Sequence, residues 1–236
     1  MLEARHLAKR YFGTAVVTDV SFTVKRGEVV GYLGPNGSGK STTTRMLAGI
    51  LEPSEGGVFL DGQRIDTDPL SYRRRLGYVP EEPILYAFQS GREYLEFVWH
   101  LRELDPGHLE RKIGALFELF NLSHAADQDI SAYSKGMKQR LMLIAALMHN
   151  PDVIILDEPD AGLDVTTTLV LRQLVIALAR KGKAVVYSSH VLDLVEKACS
   201  RVIVIYRGQI VADDHVSALQ KVVVSEAGAS VYSASE

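Results

Sequence analysis

The chain has 236 residues, of which 47% are apolar and 23% are charged, and its formal net charge is −3 at pH 7. This length is enough to bury the core of one domain. The Lys and Arg residues are scattered and form no basic stripe, so nucleic acid is excluded as the expected primary partner. The longest apolar run, Leu141 to Met148, has eight residues, whereas crossing a bilayer takes about 20.

The start of the chain and its cysteine content indicate where the protein works. Residues 1–10 mix charges into the place where a signal peptide needs an apolar stretch, so we expect a cytoplasmic protein. Cys199 is the single cysteine of the sequence, which excludes an internal disulfide and a cysteine-based zinc site. We expect it to be a small core residue.

Short apolar runs alternate with helical patterns along most of the chain. Such runs predict the buried strands of a largely parallel α/β sheet, and they comprise Val29 to Leu33, Val153 to Leu156, Ala184 to Ser188 and Arg201 to Tyr206. The first 33 residues instead predict an antiparallel β layer joined to the parallel core. Residues 84–150 have almost no β pattern, and Ser90 and Glu93 offer a capping box at the start of a helix.

We therefore expect one domain over residues 1–221. Residues 1–83 and 151–221 form its α/β core, and residues 84–150 form an inserted α-helical subdomain. The Ser-, Ala- and Gly-rich end, residues 222–236, is predicted to be a flexible tail.

Residues 34–41 match the phosphate-loop pattern G-x-x-x-x-G-K-S between a predicted strand and a predicted helix. In such a loop, backbone N–H groups point at the phosphates of a nucleotide, and the helix start adds a partial positive charge. Lys40 would bridge the β- and γ-phosphates, and the hydroxyl of Ser41 would bind Mg²⁺. The predicted nucleotide-binding residues of this loop are Gly34, Asn36, Gly37, Ser38, Gly39, Lys40, Ser41 and Thr42.

Asp157 and Glu158 follow a predicted buried strand, at the position where open α/β sheets bind ligands. Asp157 would belong to the Mg²⁺ shell. Glu158 would act as general base on the attacking water. Two solvated acids at a strand end are common, so the prediction depends on the phosphate loop that precedes them.

Ser134 stands at the start of another predicted helix, within Tyr133-Ser134-Lys135-Gly136-Met137. Ser is a favoured N-cap residue, and a capped helix start is an anion site. The order of these motifs resembles the nucleotide-binding subunit of ATP-binding cassette (ABC) transporters over residues 2 to about 220. The resemblance implies a P-loop NTPase core with the mainly parallel sheet, N-terminal antiparallel β layer and inserted helical subdomain described above.

The same resemblance implies ATP and Mg²⁺ as ligands and a shared active site. Ser134, Gly136 and Asp164 would act in trans on the ATP of a second copy or a close homologue, in a head-to-tail dimer. His190 would be the switch histidine at the γ-phosphate, so the implied catalytic residues are Glu158, His190 and Lys40. Tyr11 would stack on adenine, with the adjacent Phe12 as the alternative aromatic.

Two positions depart from the commonest form of the family. The signature with Lys135-Gly136-Met137 resembles the variant found in subunits that serve ABC-2 type export permeases, which favours an exporter. Glu81 stands where most relatives carry a magnesium-sensing glutamine; it would either join the metal site or simply face solvent.

We expect an ATPase that powers a separate integral-membrane permease, so the chain would be peripheral on the cytoplasmic face of the membrane. The alternative is a soluble ABC-type ATPase that takes no part in transport. The transported substrate is not encoded in these motifs.

Overall fold

A computed structural model describes residues 1–216, so the predicted tail at residues 222–236 lies outside the described residues. Within residues 1–216 the strands form two sheets. The first is antiparallel, with the order β2-β1-β4-β5. Its strands are β1 (Leu2–Tyr11), β2 (Thr14–Val24), β4 (Glu55–Leu60) and β5 (Gln63–Arg64).

The second sheet has the order β10-β9-β3-β8-β7-β6 and is parallel except for the edge strand β10. β7 buries all five of its residues, as expected for a strand covered on both faces. The turn after β2 carries the chain out of the antiparallel sheet and into β3. The strands are β3 (Val29–Leu33), β6 (Leu76–Val79), β7 (Val153–Asp157), β8 (Ala184–Ser189), β9 (Arg201–Tyr206) and β10 (Gln209–His215).

Seven α-helices complete the part of the chain that the structure describes, and three of them lie between β6 and β7. Their bounds are α1 (Lys40–Leu47), α2 (Pro69–Arg75), α3 (Gly91–Leu101), α4 (Leu109–Leu119), α5 (Lys135–Leu147), α6 (Val165–Arg180) and α7 (Leu192–Ala198). Ser90 and Glu93 form the predicted capping box at the start of α3. None of the helices within residues 1–216 has the length and apolarity needed to cross a bilayer.

Two hydrophobic clusters cover the two faces of the parallel sheet. One joins that sheet to the antiparallel layer, α1 and α2. The other joins it to α3, α4, α5 and α6, with Leu95, Ile113 and Phe117 fully or almost fully buried. Truncation of a buried Phe to Ala costs about 3 to 5 kcal/mol, so Phe117 is a strong anchor for α4.

The sheet order decides where the site forms. β8 lies between β3 and β7, and the three strands are parallel, so their carboxyl ends meet at one edge. The phosphate loop follows β3, Glu158 follows β7 and His190 follows β8. The predicted fold class, an α/β core with an antiparallel β layer and a helical insertion, is confirmed.

Candidate active site

The phosphate loop is built from a tight backbone turn and the first turn of α1. Gly39 is the N-cap residue of α1 and has φ of 105°, a left-handed conformation that favours glycine. Lys40 is 5% exposed, and its Nζ donates to the carbonyl oxygen of Gly34 at 2.8 Å. The backbone N–H of Gly208, in the β9–β10 turn, donates to the carbonyl of Ser38 at 2.9 Å. The loop is therefore held from within and by the neighbouring hairpin.

Glu158 connects the phosphate loop to the end of β8. Its Oε1 lies 3.4 Å from Lys40 Nζ, and its Oε2 lies 2.8 Å from His190 Nδ1. Glu158 is buried and has φ of 47°, whereas His190 is exposed. A left-handed φ is uncommon for a residue with a side chain and is found at functional sites. The three catalytic residues expected from the sequence are thus in direct contact in a row.

Asp157 lies directly behind this row and is 1% exposed. Its Oδ2 accepts a hydrogen bond from Thr44 Oγ1 at 2.9 Å, while its Oδ1 is buried and accepts none from the described residues. Burial raises the pKa of Asp157, because the charged form loses its hydration. A buried carboxylate oxygen without a partner is suited to a cation, directly or through its water shell.

The donor set fits Mg²⁺ better than a metal held by protein alone. Within residues 1–216 there is no cluster of three or more His, Cys, Asp or Glu side chains able to hold a metal ion. Mg²⁺ usually takes one or two protein ligands and completes its shell with substrate phosphates and water. Asp157 and the hydroxyl of Ser41 would be those ligands.

One open pocket of about 270 Å³ collects most of the predicted nucleotide-binding residues. Glu81 is exposed and lines this pocket together with Ser41 and Glu158, so it is near the site that the sequence assigns to the metal. The pocket is lined by Val16, Asn36, Gly37, Gly39, Lys40, Ser41, Thr42, Glu81 and Glu158. Gly34 and Ser38 are buried and support the loop from behind.

The residues expected to act in trans do not line this pocket. Ser134 is exposed, and its Oγ accepts the N–H of Met137 at 3.2 Å, which makes it the N-cap of α5. Asp164 caps α6: its Oδ1 accepts the N–H of Thr167 at 2.9 Å and its Oδ2 accepts the Thr167 hydroxyl at 2.7 Å. These hydrogen bonds hold the pKa of Asp164 below its usual range.

The two aromatic candidates for adenine stacking lie side by side at the β1–β2 turn. Tyr11 is 40% exposed and has Lys9 Nζ 5.4 Å from its ring centre. Phe12 has φ of 48° and is fully exposed. Both rings are thus accessible to a stacking base.

Two contacts near the site were not anticipated from the sequence. Thr44 bonds Asp157 directly, and its position one helical turn after Ser41 is a signal that could have suggested this. Tyr187 Oη donates a hydrogen bond to Asp160 Oδ2. These two residues are 27 positions apart, and no motif connects them.

A phosphate loop follows the parallel strand β3, and a buried carboxylate pair stands at the end of β7, two strands away in the sheet order. Together with the capped start of α5, these features define a phosphate-binding α/β NTPase. The comparisons with known proteins narrow this class. The sequence profile of the ABC transporter family matches residues 17–161. The lipopolysaccharide export system ATP-binding protein LptB of Haemophilus influenzae is 36% identical over 215 residues, which are 90% of this chain and 89% of LptB.

Solved structures agree with the profile. A structure of an ATP-binding subunit of an ABC transporter is 32% identical, with a TM-score of 0.87 over 94% of this chain and 92% of that one. A dimeric, post-hydrolysis structure of the ATP-binding cassette MJ0796 bound to ADP and Pi is 25% identical, with a TM-score of 0.83 over 92% of this chain and 99% of that one. The chain belongs to the ABC transporter family. Within it, the chain is an ATP-binding subunit with ATPase activity that powers a transporter.

Proposed function

We propose that this chain binds ATP with Mg²⁺ in the phosphate-loop pocket, hydrolyses it within a head-to-tail dimer, and so drives a separate membrane permease. The observation that carries the proposal is the row Lys40, Glu158, His190 beside the buried Asp157. Lys40 provides a cation for the phosphates, Glu158 a base for water and Asp157 a carboxylate for the metal. All three lie at one edge of the sheet.

Lys40 and Glu158 would change partners when ATP binds. The γ-phosphate competes with Glu158 Oε1 for the ammonium group of Lys40, which lies within 3.4 Å of that carboxylate oxygen. Glu158 then accepts the proton of the attacking water. In its protonated form, His190 donates from Nδ1 to Glu158 and from Nε2 to a phosphate oxygen, so it holds both in register.

Asp157 and Ser41 would hold Mg²⁺, and Glu81, which lines the same pocket as Ser41, would join this metal site. When bound, Mg²⁺ neutralises charge on the β- and γ-phosphates. Thr44 fixes the Asp157 carboxylate by bonding Oδ2, which leaves Oδ1 for the metal shell.

The dimer completes the site. Ser134 and the N–H groups at the start of α5 are an anion site without a phosphate loop of their own nearby, and they do not line the pocket of the same chain. Ser134, Gly136 and Asp164 of one copy would therefore serve the ATP of the other. The dimeric structure of MJ0796 supports a dimer of this kind of subunit. The partner is a second copy of this chain or a close homologue.

The permease would dock beside the start of α3. Ile84, Tyr86 and Phe88 are 82%, 50% and 80% exposed, and the rings of Tyr86 and Phe88 are 6.0 Å apart. An open groove of about 540 Å³ lies at the other end of α3 and is lined by Ile50, Leu70 and Leu101 among others. Aromatic and apolar side chains of this kind are typical anchors of protein interfaces. Docking here would hold the chain at the cytoplasmic face of the membrane, and the export-type signature favours a permease of the ABC-2 class.

ATP hydrolysis is tested with Lys40→Ala in the full chain. We expect hydrolysis to fall below detection, since the pocket loses its point charge on the phosphates. Lys183→Ala is the matched control: Lys183 is also largely buried and donates to a backbone carbonyl at 3.0 Å, but at the far end of the sheet. Equal activity of the two variants would refute the role of Lys40.

Permease docking is tested by Phe88→Cys crosslinking in native membranes. Cys199 is buried, and burial raises the pKa of its thiol to about 12, so the introduced cysteine is the reactive one. Val211→Cys, on the exposed strand β10, is the control. We expect crosslinks to an integral-membrane protein from position 88 and none from position 211. The reverse pattern would place the interface at β10 instead.

A further inference from the structure

The loop formed by residues 158–164 joins the catalytic base to the signature segment of the same chain. At one end, the Glu158 N–H donates to the carbonyl of Ser188 at 3.2 Å. At the other end, Gly162 packs on the start of α5: a Cβ placed on Gly136 would lie only 2.6 Å from the carbonyl oxygen of Gly162. A shift of this loop would therefore displace Glu158 and change the contact with Gly136.

The middle of the loop is fixed by one side-chain contact with β8. Tyr187 is 2% exposed and pairs with Leu156 in the sheet register, and its hydroxyl donates to Asp160 Oδ2. Asp160 Oδ1 is buried and accepts no hydrogen bond from the described residues, so the Tyr187 hydroxyl is the donor that satisfies this carboxylate there. A hydrogen bond to a charged group is stronger than one between neutral groups.

The Tyr187 hydroxyl remains a hydrogen-bond donor near neutral pH. Burial, followed by the charge of the neighbouring Asp160, raises the pKa of Tyr187, so its hydroxyl stays protonated and donates. Burial raises the pKa of Asp160, and the Tyr187 hydroxyl opposes that rise. Two further turns inside the loop, Ala161 N–H to Glu158 C=O and Leu163 N–H to Asp160 C=O, link Asp160 to both ends of the loop.

We propose that Tyr187 and Asp160 are positioning residues, whose hydrogen bond sets the loop 158–164 so that Glu158 and Gly162 are correctly placed at the same time. The proposal rests on the proposed role of Glu158 as general base. Neither residue lines the phosphate-loop pocket. Losing the hydroxyl would remove the hydrogen-bond donor of the partly buried Asp160 carboxylate, and the loop would be free to shift between its two fixed ends.

Tyr187→Phe removes only the hydroxyl, and Tyr72→Phe is its matched control. Tyr72 is also buried, and its hydroxyl donates to the carbonyl of Leu47 at 2.6 Å, away from the loop. In hydrogen–deuterium exchange of the full chain, we expect the amides of Ala161 and Leu163 to exchange about tenfold faster in Tyr187→Phe and unchanged in Tyr72→Phe.

Steady-state ATP hydrolysis provides the second measurement. For Tyr187→Phe we expect kcat to fall by about three- to tenfold while KM for ATP stays within about twofold, because the reacting groups are misplaced and binding is kept. Asp160→Asn keeps an oxygen that accepts the Tyr187 hydroxyl, so it should retain most of the activity. Asp160→Ala should match Tyr187→Phe, and the double variant should lose no more than either alone.

The outcomes distinguish a failure of the positioning role from a failure of the proposed function. Loop exchange that is unchanged, a kcat equal to that of Tyr72→Phe, or losses that add in the double variant would each overturn the positioning role. A wild-type chain that hydrolyses no ATP would refute the proposed function instead, and the exchange measurement would still decide on the contact.

Discussion

Replacement of Glu158 by Gln changes one charge at the centre of the site and keeps the shape of the side chain. At 3.4 Å from Lys40 Nζ, and with an effective dielectric constant of about 20, the carboxylate attracts the ammonium by about 5 kcal/mol before desolvation is counted. Gln still accepts a hydrogen bond there. The difference between a charged and a neutral hydrogen bond is about 1 to 2 kcal/mol.

The weaker interaction of the substituted side chain with Lys40 should increase the affinity for ATP. In the wild-type chain, ATP must draw Lys40 away from Glu158; in Glu158→Gln it meets a weaker competitor. We therefore expect ATP to bind about 5- to 30-fold more tightly, the equivalent of about 1 to 2 kcal/mol. Hydrolysis should fall by about 10²- to 10⁴-fold with the loss of the general base. Tight binding without turnover should trap the closed dimer.

Two assays separate these effects. Equilibrium titration with ATP and no Mg²⁺, at low protein concentration, reports affinity, and size-exclusion chromatography with ATP and Mg²⁺ reports the dimer. Glu28→Gln is the control, because Glu28 pairs with Arg201 at 3.3 Å, away from the pocket. If Glu158→Gln binds ATP no better than Glu28→Gln and stays monomeric with ATP, the Glu158 carboxylate and the γ-phosphate do not compete for Lys40.

Three further outcomes are expected. Tyr11→Ala should weaken ATP binding by about 1 to 3 kcal/mol if adenine stacks there, and a loss seen only with Phe12→Ala in the same titration would assign the stack to the fully exposed ring. Glu81→Gln should keep ATP binding but raise the Mg²⁺ concentration for half-maximal hydrolysis, because a carboxylate attracts the metal and an amide does so less; superimposable Mg²⁺ titrations would leave Glu81 as a solvated residue. Burial, and then the charge of Arg102, lowers the pKa of His149 to about 4. The folded state therefore favours the neutral form of His149. The contribution of this residue to the free energy of unfolding is lost as pH falls from about 6.5 towards 4. Urea unfolding at pH 7 and pH 5 should show the wild type losing about 2 kcal/mol more than His149→Asn, and equal losses would show that His149 is not the cause.

The parts of the site that the sequence predicted are those in which chemistry and backbone form are local. Glu158 and His190 directly follow strands, and Lys40 ends the phosphate loop that follows β3, so recognising the strands and the loop was enough to bring the three residues to one edge. Ser134 and Asp164 are helix caps, and a cap is a property of a few adjacent residues.

What the sequence did not reveal depends on contacts between distant segments. The bond from Tyr187 to Asp160 requires the register of β7 against β8, which a single sequence does not fix. The contact between Gly208 and Ser38 depends likewise on β9 lying next to β3. Neither residue type nor spacing carries a signal for pairs of this kind.

The internal contacts of the site also bear on why the proposed dimer would open again after hydrolysis. Lys40 is paired with Glu158, Glu158 is also bonded to His190, and both oxygens of Asp164 are engaged in capping α6. A phosphate or a second copy must replace these contacts, so the net free energy of closure is smaller than the new contacts alone would give. A small difference is easily reversed when the γ-phosphate leaves, because a ligand shifts an equilibrium only by its differential affinity for the two states. ATP binding would thus close the dimer. Loss of the γ-phosphate would allow Lys40 and Glu158 to pair again and the dimer to open.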